Sequence, residues 1–352
     1  MSGIEERYRF VLRLLPASYR QRWEEDMVAA FLESVTPDDP EEAEFVRDYG
    51  RPSWPEVFSV VGLALRLRLA HAGAPPRYLV WAQAVRLASL GWVFLNAVAG
   101  ATILAFHLWL VGALPGVGAP MNGEFLPLRT DHWVTASVVI GLLWVPAYLA
   151  LLLADSRVGR ALLTLAVIAD SGLLLASTGR RDPVGGTIFV LLAANALLAL
   201  SLTAFHRHAS RVRPRPWLLA LPVGVVLATF LLTTAVPTTA PVAAWWADWP
   251  AQCSFVVVAA SIVHLCVPRF RRMVPWTLAL VILTLAVLIL RVVSLPDYRG
   301  LVDPVFVTFG LVETGALVAV GVPLFVLAAR ALRRLPANPA DEAWSTSSDR
   351  HA

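Results

Sequence analysis

The chain has 352 residues, of which 57% are apolar and 15% charged, and its mean hydropathy of +0.65 lies outside the range of soluble domains. All 29 strongly basic side chains are arginine, and the formal net charge is +4. Since there is no lysine, every site that depends on an ammonium group is excluded, including a P-loop and a pyridoxal Schiff base.

Residues 1–72 differ from the rest of the chain, because they carry 13 of its 25 acids. They predict a small cytosolic helical domain. Its first helix should end before Pro16 and bury a stripe at helical spacing formed by Ile4, Tyr8, Val11, Leu12 and Leu15.

A later helix, approximately residues 55–71, is predicted by Ser53 with Glu56 three positions on, the pattern of an N-terminal cap. Its apolar stretch is too short to span a bilayer. Two placements stay open for this helix. It either lies on the inner leaflet or packs on the preceding helices.

A pattern near the N-terminus resembles a known type of segment. It consists of Leu14, Leu15, Pro16, Tyr19, Arg20, Glu24, Glu25, Met27 and Phe31. It is similar to the N-terminal prefix segments of bacterial permease-like membrane proteins and to the helical domains that accompany PadR-type regulators. The resemblance implies a cytosolic module that binds a protein partner through residues 1–72. The candidate partner-binding surface is then Tyr19, Arg20, Glu24, Glu25, Met27 and Phe31.

The remaining chain predicts an all-α, polytopic membrane bundle at residues 87–335, entered through a linker at 73–86 and followed by a disordered tail at 336–352. A bilayer core of about 30 Å requires about 20 apolar residues per helix. Eight runs approach this length: Leu87–Leu114, Trp133–Ala154, Ala161–Ser177, Gly186–Phe205, Trp217–Val236, Ala251–Val267, Trp276–Leu295 and Pro304–Ala328.

The arginines between these runs predict the orientation. One set of connecting segments and ends carries 12 arginines and the opposite set carries 5. By the positive-inside rule, both termini are expected in the cytoplasm and the bundle in the cell membrane. Because the basic residues follow the membrane edges and residues 1–72 are acidic, nucleic-acid binding is not expected.

Four polar residues within the spans form the candidate intramembrane site: Asp170, Asn195, Arg291 and Glu313. The two acids lie about 13 to 14 Å into their spans, where an ionised side chain is costly. They could carry protons or cations, or they could be structural acids, hydrogen-bonded for example to Asn195. We expect Arg291 to snorkel to the outer interface, although a pair with Glu313, which the spacing does not imply, is also possible.

No pattern for a catalytic residue, a metal or a cofactor is recognised in the chain. The leading hypothesis is a non-enzymatic regulatory or accessory membrane protein whose cytosolic domain binds a partner. The alternative is a transporter or permease subunit that uses Asp170 and Glu313. An intramembrane enzyme remains a third hypothesis, because a site assembled from separate helices leaves no sequence motif.

Overall fold

The structure is a computed structural model that describes residues 3–15, 17–35, 39, 45, 48–70, 76–113, 132–153, 156–178, 185–201, 214–235, 248–296 and 304–334. Within these ranges the chain is helical and contains no strand, which confirms the predicted all-α class. The contacts divide the chain into two compact units, with the boundary between Ala82 and Gln83. The predicted tail at 336–352 lies outside the described residues.

The helices that the structure describes before residue 71 are α1 (Gly3–Leu12), α2 (Ala17–Val35) and α3 (Trp54–Ala70). The predicted stripe on the first helix is confirmed, since its spacing places most of the stripe in a core. That core consists of Ile4, Tyr8, Leu12, Leu15, Val28, Phe31, Val60 and Ala64.

Tyr8 joins α1, α2 and α3. Its ring stacks on Phe31 of α2 with centroids 3.9 Å apart, and its hydroxyl donates to Oε1 of Glu56 in α3 at 3.3 Å. Burial, and then the negative charge of Glu56, raise the pKa of Tyr8 to about 12. The start of α3 has the predicted cap, because Ser53 Oγ accepts from the backbone N–H of Glu56 at 3.4 Å.

The second unit begins within α4 (Pro76–Leu110), which at about 1.5 Å per residue is about 52 Å long and exceeds the bilayer core. The helices that follow are α5 (His132–Leu142), α6 (Trp144–Leu153), α7 (Ser156–Ser177), α8 (Gly185–Ser201), α9 (Pro214–Ala235), α10 (Trp249–Cys266), α11 (Pro268–Arg271), α12 (Val274–Ser294) and α13 (Pro304–Arg333).

Seven helical segments among the described residues are long and apolar enough to cross a membrane. They correspond to seven of the eight predicted spans. The predicted fourth span corresponds to α8, which is apolar but has only 17 described residues. The chain is therefore a multi-pass membrane protein.

The second predicted span is interrupted by a proline. Its two parts, α5 and α6, are separated at Leu143. Pro146 lacks an N–H, and its ring clashes with the carbonyl four residues earlier, which belongs to Leu142. This accounts for the end of α5 at Leu142. Helix α9 continues through Pro222 and α13 through Pro323.

Close helix approach in the bundle depends on glycine where α4 meets α5. A Cβ added to Gly100 would overlap the carbonyl oxygen of Gly141, and a Cβ added to Gly141 would lie 3.2 Å from the Cα of Gly100. Small residues allow two backbones to pack at this distance in a membrane. Helix α12 packs extensively against α10 and α13, and these three helices carry the site described next.

Candidate functional site

A cluster of three charged side chains lies where the beginning of α10 and the end of α12 meet the first half of α13. Asp248 is the residue before α10, Arg291 lies in the last turn of α12, and Glu313 lies about 13 to 14 Å along α13. The cluster therefore joins the beginning of α10 to the end of α12. The same end of α12 faces the first half of α13.

The guanidinium of Arg291 bridges the two carboxylates. Its Nη1 donates to Oδ2 of Asp248 at 2.6 Å, and its Nε lies 2.7 Å from Oε2 of Glu313. The exposed fraction is 0% for the Arg291 side chain, 7% for Asp248 and 10% for Glu313. All three charged groups are thus removed from solvent, and charges buried in this way need partners.

Gly310 provides the space for this guanidinium. A Cβ at Gly310 would lie 2.9 Å from Nη2 and 3.2 Å from Cζ of Arg291, and it would also overlap the side chain of Leu295. Contacts shorter than 3.0 Å force atoms to move. Gly315, five residues further along α13, has nothing within 4 Å of such a Cβ. Of these two glycines, only Gly310 lies close to the guanidinium of Arg291.

Asp248 occupies the N-cap position of α10, but its side chain makes no capping hydrogen bond. The carboxylate binds Arg291 instead. Its negative charge still lies beside the positive end of the helix dipole, which is favourable. Asp248 therefore contributes both to the start of α10 and to the charge balance of the cluster.

Snorkelling of Arg291, the expectation from the sequence, is wrong. The side chain is fully buried and its guanidinium lies between two acids. Inside the bundle two carboxylates attract the guanidinium. This attraction is stronger than that of the membrane interface, because the side chain would have to leave both carboxylates to reach it. The pair with Glu313, which was the alternative to snorkelling, is present in the structure.

Asp170 belongs to a different cluster. Asn195 of α8 donates from Nδ2 to Oδ2 of Asp170 in α7 at 2.8 Å, and the same amide donates to Oγ of Ser171 at 3.2 Å. The indole of Trp144 in α6 also donates to Asp170. Of the four predicted intramembrane residues, the structure therefore joins Asp170 to Asn195 and Arg291 to Glu313, as two separate pairs.

Asp248 is not among the predicted site residues, because it falls outside every predicted span. One signal was present, since an acid directly before Trp249 and Pro250 is typical of a helix N-terminus. That signal places Asp248 at a helix end. It does not identify a partner 43 residues away.

Most of the predicted partner-binding residues have contacts within the N-terminal unit. Phe31 is buried against Tyr8, and Tyr19 and Met27 pack against the same core. The two acids of the predicted surface contact Arg9. The Arg9 Nη1 lies 3.6 Å from Oε1 of Glu24 and 2.7 Å from Oε1 of Glu25. The hydrogen bond from Arg9 holds the pKa of Glu25 below its usual value. Arg20 is half-buried.

In the part of the chain that the structure describes, no group of three or more His, Cys, Asp or Glu side chains has the geometry of a metal site. The fold and the two buried polar clusters define an all-α polytopic membrane bundle preceded by a separate helical unit. Comparisons of the chain with protein-family models, with curated proteins and with solved structures find no match.

Proposed function

We propose that the chain is a non-enzymatic regulatory or accessory protein of the cell membrane whose N-terminal helical unit binds a protein partner, with both termini in the cytoplasm. One observation carries this proposal. The N-terminal unit keeps large aromatic side chains exposed although its own core is already closed.

Four of these exposed side chains lie in α3 or in the segment before it. Trp54 is 74% exposed and Phe58 66%, and their ring centroids are 6.0 Å apart. Phe45 and Tyr49 form a second exposed pair with centroids 5.3 Å apart. Adjacent exposed aromatic rings on a folded unit are characteristic of interaction surfaces, where aromatic residues are enriched.

The proposed contact therefore shifts from α2 to the start of α3. Tyr19, Met27 and Phe31 support the unit from within, so their substitution would disturb the fold before it disturbed a partner. Trp54 and Phe58, in contrast, contribute little to the core of the unit. Because little of either ring is buried, both can be replaced at small cost to folding.

A photocrosslinking amino acid at Phe58 of the intact protein, in its native membrane, tests the proposal. We expect one discrete protein adduct, absent when the crosslinker replaces Gln21, an exposed residue of α2. Trp54→Ser should weaken the adduct at position 58 while the protein stays folded. Adducts with lipid alone would contradict the proposal and support the placement of α3 on the inner leaflet.

The transport alternative depends on Asp170, an acid within an apolar helix that is hydrogen-bonded to Asn195. Its test is proton uptake by proteoliposomes under an imposed membrane potential. If this function is correct, Asp170→Asn abolishes a flux that the unmodified protein supports. Glu313 is less suited to carrying a proton, because its carboxylate is paired with Arg291. Copurification of an ATPase would also favour transport.

A further inference from the structure

A cavity of 770 Å³ lies in the second unit, between α4, α9, α10 and α12. Its volume falls within the range of small-molecule sites. The cavity is separate from both buried acid clusters, because its walls come from the other end of α10 and α12. Leu280, on its wall, lies six residues from the start of α12, which corresponds to a depth of about 9 Å.

Two arginines line this cavity. Arg86 comes from α4 and is half-buried, and Arg269 comes from the short helix α11 and is exposed. Among the described residues of the lining there is no carboxylate. The charge of the cavity is therefore positive, and it lies at the end of the helices that the arginine distribution predicts to face the cytoplasm.

The rest of the wall is mainly apolar and aromatic. Trp217 and Trp276 stack with centroids 5.8 Å apart, and the carbonyl of Trp217 accepts from the Tyr148 hydroxyl at 2.8 Å. Val263, another wall residue, is 52% exposed and adjoins Ile262 on the apolar outer surface of α10. The cavity thus combines cationic groups with an apolar wall that continues onto the surface covered by lipid.

We propose that this cavity binds an anionic phospholipid, with its phosphate at Arg86 and Arg269 and an acyl chain along the apolar wall. Guanidinium groups recognise phosphate by charge-assisted hydrogen bonds. Basic pockets between helices on the cytoplasmic side of a membrane suit such headgroups. A free phosphate would satisfy the two arginines, but it would leave the apolar wall without a partner.

Native mass spectrometry of the intact, delipidated protein, titrated with phosphatidylglycerol, measures this binding. At a contribution typical of a basic residue near a membrane surface, we expect Arg86→Gln with Arg269→Gln to weaken binding about 30-fold. The matched control is Arg271→Gln with Arg272→Gln, which removes the same charge from exposed positions outside the cavity. It should change binding by about threefold or less.

Ala260→Phe separates a lipid from a free anion. Ala260 lines the cavity and is exposed, so a phenyl ring there fills space needed by an acyl chain while both arginines remain. We expect this variant to lose phosphatidylglycerol binding and to keep the unfolding temperature of the unmodified protein. If it instead bound phosphatidylglycerol as tightly as the unmodified protein, no acyl chain would occupy the cavity and the lipid proposal would be overturned.

Two other outcomes would also overturn the proposal. One is equal binding of phosphatidylcholine and phosphatidylglycerol to the unmodified protein. The other is an equal loss of binding in the cavity variant and the matched control. If the double variant fails to fold, Arg269→Gln alone is used, since Arg269 is exposed and its replacement should have little effect on stability. It should weaken binding about fivefold.

Discussion

Replacement of Arg291 by methionine tests whether the two buried carboxylates of the cluster need Arg291 to compensate their charge. Methionine is close in length to the arginine stem and fills part of its space, but it has no charge. The substitution leaves Asp248 and Glu313 without their shared partner, and their side chains are only 7% and 10% exposed. Their carboxylates would then have to protonate or draw water into the bundle.

The expected loss of stability depends on how many buried carboxylates remain without a partner. Removing one partner of a buried ion pair costs about 3 to 5 kcal/mol, and two carboxylates place Arg291→Met in the upper half of that range. Glu313→Gln should cost less, about 1 to 3 kcal/mol, because the pair between Arg291 and Asp248 at 2.6 Å persists. Replacement of all three residues by leucine should restore stability to within about 2 kcal/mol of the original.

The free energy of unfolding in detergent micelles, from titration with dodecyl sulfate, measures these differences. Arg271→Met serves as the control, since Arg271 is exposed and its loss should change stability by about 0.5 kcal/mol at most. The explanation fails if Arg291→Met unfolds within about 1 kcal/mol of the original protein. It also fails if the triple leucine variant is less stable than Arg291→Met, because that order would indicate that the charges themselves are stabilising.

Three further predictions concern single positions. Gly310→Ala should destabilise the bundle by about 1 to 3 kcal/mol in the same titration, whereas Gly315→Ala, which meets nothing within 4 Å, should not. Gly100→Ala should lower the unfolding temperature in detergent because the added methyl separates two helices, and Gly172→Ala, also free of contacts, is its control. The raised pKa of Tyr8 stabilises the fold fully below pH 10.0, and this contribution disappears as pH rises towards about 12. Absorbance titration should assign a transition near that pH to Tyr8, by its absence in Tyr8→Phe.

Seven of the eight predicted spans and the core of the N-terminal unit could be predicted because both depend on local patterns. A span requires a run of apolar residues of fixed length, and the run around Val274–Ser294 identifies α12 without any knowledge of its neighbours. The spacing of Ile4, Tyr8 and Leu12 similarly identifies the buried face of α1. Each signal is contained within one helix.

The charge cluster could not be predicted, because its members come from three helices and their pairing depends on how those helices pack. Arg291 lies near the end of its span, where the sequence equally allows a side chain that reaches the interface. The space left by Gly310 and the carboxylate of Asp248 decide the outcome, and neither lies on the helix of Arg291. Information of this kind resides in the packing of helices and not in the spacing of residues.

Helix α9 shows that an apolar sequence does not reveal how much of a helix packs against the rest of the protein. Only 6% of its apolar window is buried within the described chain, and Leu219, Val223 and Val226 are each more than 60% exposed. In water such a helix would be unstable, but in a bilayer these side chains are solvated by lipid. The same hydropathy therefore marks helices with quite different packing, since half of the corresponding window of α12 is buried. Apolar composition indicates that a segment resides in the membrane, but it does not indicate which face of that segment meets another helix.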